Sequence, residues 1–283
     1  MKIAWITDSA ALLPQQFIEQ YNIHVLPLNI VFSDATYRDV IDISLADFYD
    51  KLRTATVHPT SSQPNLGEHI ELYHQLKQQG YDHAIAIHVS SAQSGTFASA
   101  TLAANEANFK TYPFDSKIGS YPMQKMMELA QKMAAEGQSP EAILAALEDL
   151  RSRAELTFIP ASLSNLHKSG RVSGTAMFLS NLLNIKLVIS YNDQGVCEVT
   201  EKVRSDKRAK QRILNQLDAA IAKSGVDEAV IIHCNNEAGA QAWKQELEMK
   251  YPTIRFLTTE LTAIVGIHAG EGTIGLTWIR NEK

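Results

Sequence analysis

Hydroxyl side chains recur at the points of this chain where a ligand would be held. Thr7-Asp8-Ser9 and Ser90-Ser91-Ala92-Gln93-Ser94-Gly95-Thr96 each follow a short apolar run, as does Asp115-Ser116, and Thr60-Ser61-Ser62-Gln63-Pro64 lies just ahead of a helical segment. Neutral O–H groups beside helix N-termini suit a small anion, carboxylate or phosphate, because the free helix N–H groups and the helix dipole favour negative charge there. Each hydroxyl can equally cap its own helix, but several such sites in one fold favour at least one shared ligand. Asp8 and Asp115 stand at two of these strand ends, where carboxylates either hold Mg²⁺ or, more commonly, orient neighbouring hydroxyls.

Other motifs lose force in context. Gly270-Glu271-Gly272-Thr273-Ile274-Gly275 fits a dinucleotide fingerprint by letter, but it precedes a terminal strand with no helix or ribose-binding acid after it. No phosphate loop of the G-x-x-x-x-G-K-[ST] type and no G-x-S-x-G nucleophile elbow occurs. Ser94, His268 and Asp8 together would make a stand-alone serine hydrolase or a small-ligand phosphotransferase, the alternative to a binding protein. His233-Cys234 has no partner at zinc-ligand spacing. Two basic features remain: Lys168-Ser169-Gly170-Arg171 ends a short helical stretch, and Lys202, Arg204, Lys207, Arg208 and Lys210 crowd the start of a long helix. Cations there oppose the helix dipole, so the run reads either as a solvated face or as a patch for phosphate or a partner protein.

The elements that must carry these residues form two rhythms. Strands are expected at Ile3–Thr7, Val25–Phe32, Ala84–Val89 and Tyr112–Phe114, alternating with helices at Pro14–Gln20, Ser44–Arg53, Gly67–Gln79, Gly95–Asn108, Ile118–Glu136 (interrupted by Pro122) and Pro140–Arg151. Such alternation implies right-handed crossovers and a parallel sheet. The second half reads as strands at Leu156–Pro160 and Lys186–Tyr191, the latter joined by Asn192-Asp193-Gln194-Gly195 to Val196–Val203 as a hairpin. Helices at Asp206–Lys223 and Ala238–Lys250 and strands at Ala229–His233, Arg255–Thr258 and Gly275–Ile279 complete it. The fold class is therefore α/β: a parallel-sheet, three-layer domain over residues 1–155, followed by an α+β domain with a mixed sheet over 156–283.

With 283 residues, 45% of them hydrophobic, the chain can bury a sizeable core, and its net charge of -5 argues against nucleic acid as the main partner. Cys197 and Cys234 form no C-x-x-C pair and read as reduced, buried thiols. The apolar run at the N-terminus breaks at Asp8, too short for a secretory signal, and no stretch approaches the roughly 20 apolar residues of a membrane span. The expectation is a soluble, cytoplasmic protein.

Taken in order, Thr7-Asp8-Ser9, Ser61-Ser62-Gln63-Pro64, Ser94-Gly95-Thr96, Asp115-Ser116, Gly170-Arg171, Lys202-Val203-Arg204 and His268-Ala269-Gly270-Glu271-Gly272 resemble the motifs of the DegV family of bacterial fatty-acid-binding proteins, from Lys2 to about Gly275. The resemblance implies a long-chain fatty acid, such as palmitate, in a tunnel between two domains. Ser61 and Ser94 match the carboxylate-holding positions, with Ser62 or Thr60 able to share the role of Ser61. Arg171, Arg204 and His268, with Thr96 and Asp8 nearby in the motif set, match positions near the carboxyl end. It further implies a separate fatty acid kinase as partner, which phosphorylates the carboxylate to an acyl phosphate. No cofactor beyond the bound lipid, no metal, and at most transient membrane contact for lipid exchange are implied. Three positions depart from the family pattern: Ser61 replaces Thr, Ser169 precedes Gly170 in place of Gly, and Ile267 replaces Thr before His268.

Such a division of labour is physically reasonable. Burying about 14 methylenes at roughly 0.8 kcal/mol each gives on the order of 11 kcal/mol before ordering costs, against about 1.5–3 kcal/mol for a hydrogen bond to a charged group. The tail would supply affinity and the hydroxyls would set which end points where. The methionines Met123, Met126, Met127 and Met133 suit either an adaptable tunnel wall or ordinary core.

Overall fold

The structure is a computed structural model that describes residues 2–173 and 185–282. The chain divides into two compact units, Met1–Ser44 with Pro59–Arg151, and Leu45–His58 with Ser152–Lys283.

The first unit is built on a parallel sheet. Strands β1 (Ile3–Asp8), β2 (Ile23–Leu26), β6 (His83–His88) and β7 (Thr111–Asp115) lie in the order β2-β1-β6-β7, all paired parallel. β6 is buried at every position, the pattern of a strand covered on both faces, and this is why His83-Ala-Ile-Ala-Ile-His88 reads as a continuous run rather than an alternating one. Helices α1 (Gln15–Tyr21), α3 (Leu66–Gln78) and α4 (Thr96–Glu106) lie between successive strands, and α5 (Tyr121–Ala135) and α6 (Pro140–Arg153) follow β7 and lead to the second unit. A small antiparallel sheet of β3 (Asn29–Val31), β4 (Thr36–Arg38) and β5 (Thr60–Ser62) completes the first unit.

Three expectations change here. The single strand over Val25–Phe32 is two strands, β2 and β3, in different sheets; Pro27 between them has no N–H for a ladder. The Leu28 N–H goes instead to the Ser9 hydroxyl at 3.2 Å. Pro122 does not interrupt a helix from Ile118 but occupies the first turn of α5, where its missing donor costs nothing. Thr60–Ser62, expected as loop, is a strand, because Asn29, Ile30 and Val31 supply its ladder partners.

The second unit carries a mixed sheet of β8 (Ala154–Ile159), β9 (Val172–Ser173), β10 (Lys186–Tyr191), β11 (Cys197–Val203), β12 (Glu228–His233), β13 (Arg255–Glu260) and β14 (Ile274–Ile279), in the order β13-β12-β14-β8-β10-β11-β9. The expected β10–β11 hairpin is present, its turn fixed by the Asn192 side chain accepting from the Gln194 and Val196 N–H groups at 3.0 and 3.1 Å, with Gly195 at φ +76°. Helices α8 (Asp206–Ser224) and α9 (Glu237–Lys250) supply Ile213, Leu217, Trp243 and Leu247 to a core that also holds Val188, Ile231, Leu276 and Trp278. Helices α2 (Leu45–Thr54), α7 (Leu163–Ser169) and α10 (Ala263–Ala269) also belong to this unit. α10 was not legible in the sequence: it is short, and Gly266 sits at its centre. A Cβ at Gly266 would lie 2.8 Å from the Tyr49 hydroxyl, so glycine there permits the packing of α10 on α2. The parallel sheet and the mixed sheet anticipated for the two halves are both present.

Candidate functional site

Three hydroxyl clusters of the first unit lie at the carboxyl ends of β1, β6 and β7, where parallel sheets gather ligands, and the fourth lies on β5 of the small antiparallel sheet. Their side chains divide into two groups. The first is framework. Asp8 is fully buried; its Oδ2 accepts from His88 Nδ1 at 3.1 Å and the Val89 N–H at 2.9 Å, and its Oδ1 accepts from the Ala10 N–H at 3.1 Å. Three donors on one buried carboxylate satisfy it within the fold. Thr7 Oγ1 donates to the Ile87 carbonyl at 2.8 Å, and Ser9 Oγ donates to the buried Asp39 at 2.8 Å. Asp115 is likewise engaged, accepting from Ser91 Oγ at 2.5 Å and from the Ser91 and Lys117 N–H groups.

The second group faces outward from that framework. Ser94 is half-buried at the entry to α4, its hydroxyl 2.8 Å from Thr96 Oγ1, and it accepts from the Thr96 N–H at 3.3 Å. Gly95 caps α4 without a side chain, and a Cβ there would meet the Gln63 Oε1 at 2.1 Å. The absent side chain at Gly95 lets the Gln63 amide lie against this turn, so the segment that follows β5 reaches the entry to α4 through Gln63. On β5 the side chains alternate: Ser61 is half-buried whereas Thr60 and Ser62 are exposed. Ser62 Oγ accepts from Asn29 Nδ2 at 3.4 Å, and the same amide donates to the Gln63 carbonyl at 3.0 Å. Ser94 and Thr96 thus stand at the N-terminus of an eleven-residue helix, where free N–H groups favour an anionic group.

In the second unit, Gly170 ends α7 in the left-handed region at φ +63°, which turns the chain out to Arg171. His268 stands in the last turn of α10. Its pKa is lowered to about 4, first by burial, then by the positive charges of Arg171 and His58. The charge of Arg171 thus acts on His268, and so does that of His58, a residue with no motif to mark it in the sequence. His58 Nε2 lies 3.0 Å from the Ile267 carbonyl. Arg204, just past the end of β11, instead lines a groove of about 440 Å³ with Lys202, Arg208, Gln211, Arg212 and Asn215. Arg204, Arg208 and Arg212 follow one another at four-residue spacing, which places the latter two on one face of α8. Ser205 caps this helix, accepting from the Arg208 N–H at 3.3 Å, and Asp206 pairs with Lys186 at 3.0 Å.

Asp8, with its oxygens engaged by His88, Val89 and Ala10, is occupied as a structural hub of the first unit. Among the described residues no group of three or more His, Cys, Asp or Glu could hold a metal ion. Gly270 and Gly272 adopt positive φ and lead into β14, which is a strand of the mixed sheet rather than the opening of a helix. A buried pair of imidazoles was also missed: His69 Nδ1 lies 3.2 Å from Ser99 Oγ, and its ring is 6.3 Å from that of His88. Among the described residues no helix is long and apolar enough to cross a membrane.

Comparison with known proteins agrees with this geometry. The model of a family described as an uncharacterised protein, DegV family, matches residues 2–281. The crystal structure of DegV, a fatty acid binding protein from Bacillus subtilis, has a TM-score of 0.89 and 36% identity, covering 99% of this chain and 100% of that one. A DegV family protein from Thermus thermophilus, described for its fatty acid binding, has a TM-score of 0.88 and 32% identity over 99% of this chain and 100% of its own. At 20% identity and a TM-score of 0.82, the Streptococcus pneumoniae fatty acid kinase B3 protein loaded with linoleic acid shares the fold over 99% of this chain and 100% of its own. The resemblance carried by the ordered motifs is thus borne out: the chain belongs to the DegV family.

Proposed function

We propose that this protein binds a long-chain fatty acid through its carboxylate and presents it to a separate fatty acid kinase. The observation that supports the reading is that Gln63, two residues beyond Ser61, lies against Gly95, the neighbour of Ser94, at the N-terminus of α4. The Bacillus subtilis and Thermus thermophilus relatives, at 36% and 32% identity, are described as fatty acid binding, which supports the class of ligand. The proposed carboxylate donors are Ser94 and Ser61, with Ser62 and Thr60 exposed on the other side of β5. Thr96 and Asp8 act behind them, Thr96 by its bond to Ser94 and Asp8 by fixing the end of β1. Arg171 and His268 are assigned to the phosphorylation step, in which negative charge increases on the head group. Arg204, in its cationic groove, is assigned to the same step or to the partner; the kinase named in the Streptococcus pneumoniae relative motivates that partner. In this reading the chain is a carrier, not itself an enzyme, works in the cytoplasm, and needs no cofactor besides its lipid.

The roles separate experimentally. Ser94→Ala removes one donor to a charged group, worth about 1.5–3 kcal/mol, so palmitate affinity measured by titration falls on the order of tenfold to a hundredfold. Arg204→Ala leaves that affinity within about twofold but slows kinase-dependent formation of acyl phosphate at least about tenfold. If both variants match the parent in both assays, the assignment fails. Hydrolysis of model esters by the protein alone would favour the hydrolase reading.

A further inference from the structure

The last turn of α10 is held by a residue that belongs to none of the hydroxyl or basic motifs. His58 follows α2, is half-buried, and its Nε2 lies 3.0 Å from the carbonyl of Ile267, the residue immediately before His268. A carbonyl only accepts, so Nε2 of His58 carries a proton and donates to it, in the neutral ring and in the imidazolium alike. We propose that His58 is a positioning residue for His268: its Nε2–H holds the Ile267 carbonyl and so fixes the last turn of α10, from which the His268 ring projects.

Among the described residues, α7 and α2 pack most closely on α10. The first carries His167 and Lys168 in its last turn with Arg171 just beyond, and the second carries Asp47, Asp50, Lys51 and Arg53 with His58 beyond it. Glu271, after the helix, is paired with Arg53 and accepts from Asn235 Nδ2 at 2.6 Å. Of these groups, Arg171 and His58 are the ones whose charge opposes a proton on His268, in addition to burial. A neutral His268 has one N–H donor and one acceptor nitrogen. It can therefore donate to an anionic head group and still take up a proton when that group changes, which an imidazolium cannot. The inference rests on the reading that His268 serves the ligand's head group, but its test does not need the ligand.

The test is NMR of the ligand-free protein, comparing the parent with His58→Gln and His58→Ala. Glutamine keeps an N–H near the position of Nε2 but carries no charge; alanine keeps neither. The His268 ring signals of the parent should titrate near pH 4, and in both variants the midpoint should rise by about half a pH unit. Amide exchange in α10 should speed up on the order of tenfold in His58→Ala and stay close to the parent in His58→Gln. A His268 midpoint unmoved in both variants, or α10 exchange unchanged in His58→Ala, overturns the proposal. Loss of fatty acid binding by the parent would instead overturn the functional reading and leave this result standing.

Discussion

Ser94, Thr96 and Gln63 show how far side-chain chemistry could be read before the fold was known. The hydroxyl segments are visible in the sequence, and the geometry divides their members by task. Thr7, Ser9, Ser91 and Asp115 are engaged with one another and with the backbone, so for these the capping or framework role holds. Asp8 belongs with them because His88, eighty positions away, donates to it, and no local spacing encodes such a contact. The buried imidazoles were missed for the same reason. They have a measurable consequence: burial, followed by the charge of His88, lowers the pKa of His69 from its ordinary 6.5 to about 4. Between those values the unfolded chain takes up a proton that the folded protein refuses, so the contribution of His69 to stability is complete above pH 6.5 and is lost as pH falls toward 4. Urea denaturation at a series of pH values should show a shallower loss over that window in His69→Asn than in the parent. Parallel curves would contradict the assignment.

At the scale of elements, strong periodicity was read well and short pieces were not. β6, α8 and the β10–β11 hairpin carry apolar runs or turn residues that determine them locally. β5 and α10 do not: Thr60-Ser61-Ser62 becomes a strand only because β3 is beside it, and α10 forms around Gly266, where packing on α2 outweighs poor helix propensity. Pro27 and Pro122 were visible in the sequence, but their effects depend on whether the proline falls between elements or in a first turn. The turn at Gly95 is the element-level device on which the proposed carboxylate site depends. Gly95→Ala would push the Gln63 amide away; because that amide is the end of a flexible side chain, stability should change by less than about 1 kcal/mol. Palmitate affinity should nevertheless fall about fivefold or more, as the donors lose their common geometry. Thermal melts and titration of the same preparation check both halves. Unchanged affinity would mean that the two loops do not act on one ligand.

At the scale of the whole molecule, a parallel-sheet unit and a mixed-sheet unit together carry a set of motifs that no single element accounts for. The family was legible because the motifs occur in order along nearly the whole chain, each weak by itself. The proposed class of ligand rests on the fatty acid binding of relatives at 36% and 32% identity and on the neutral donors that the first unit offers beside a helix N-terminus. Native mass spectrometry of freshly purified protein, followed by extraction and identification of whatever is bound, tests this most directly. The prediction is one added mass per chain matching a long-chain fatty acid, removable by denaturation and restored by palmitate or oleate. Protein that is wholly free of lipid and takes up neither acid would contradict it.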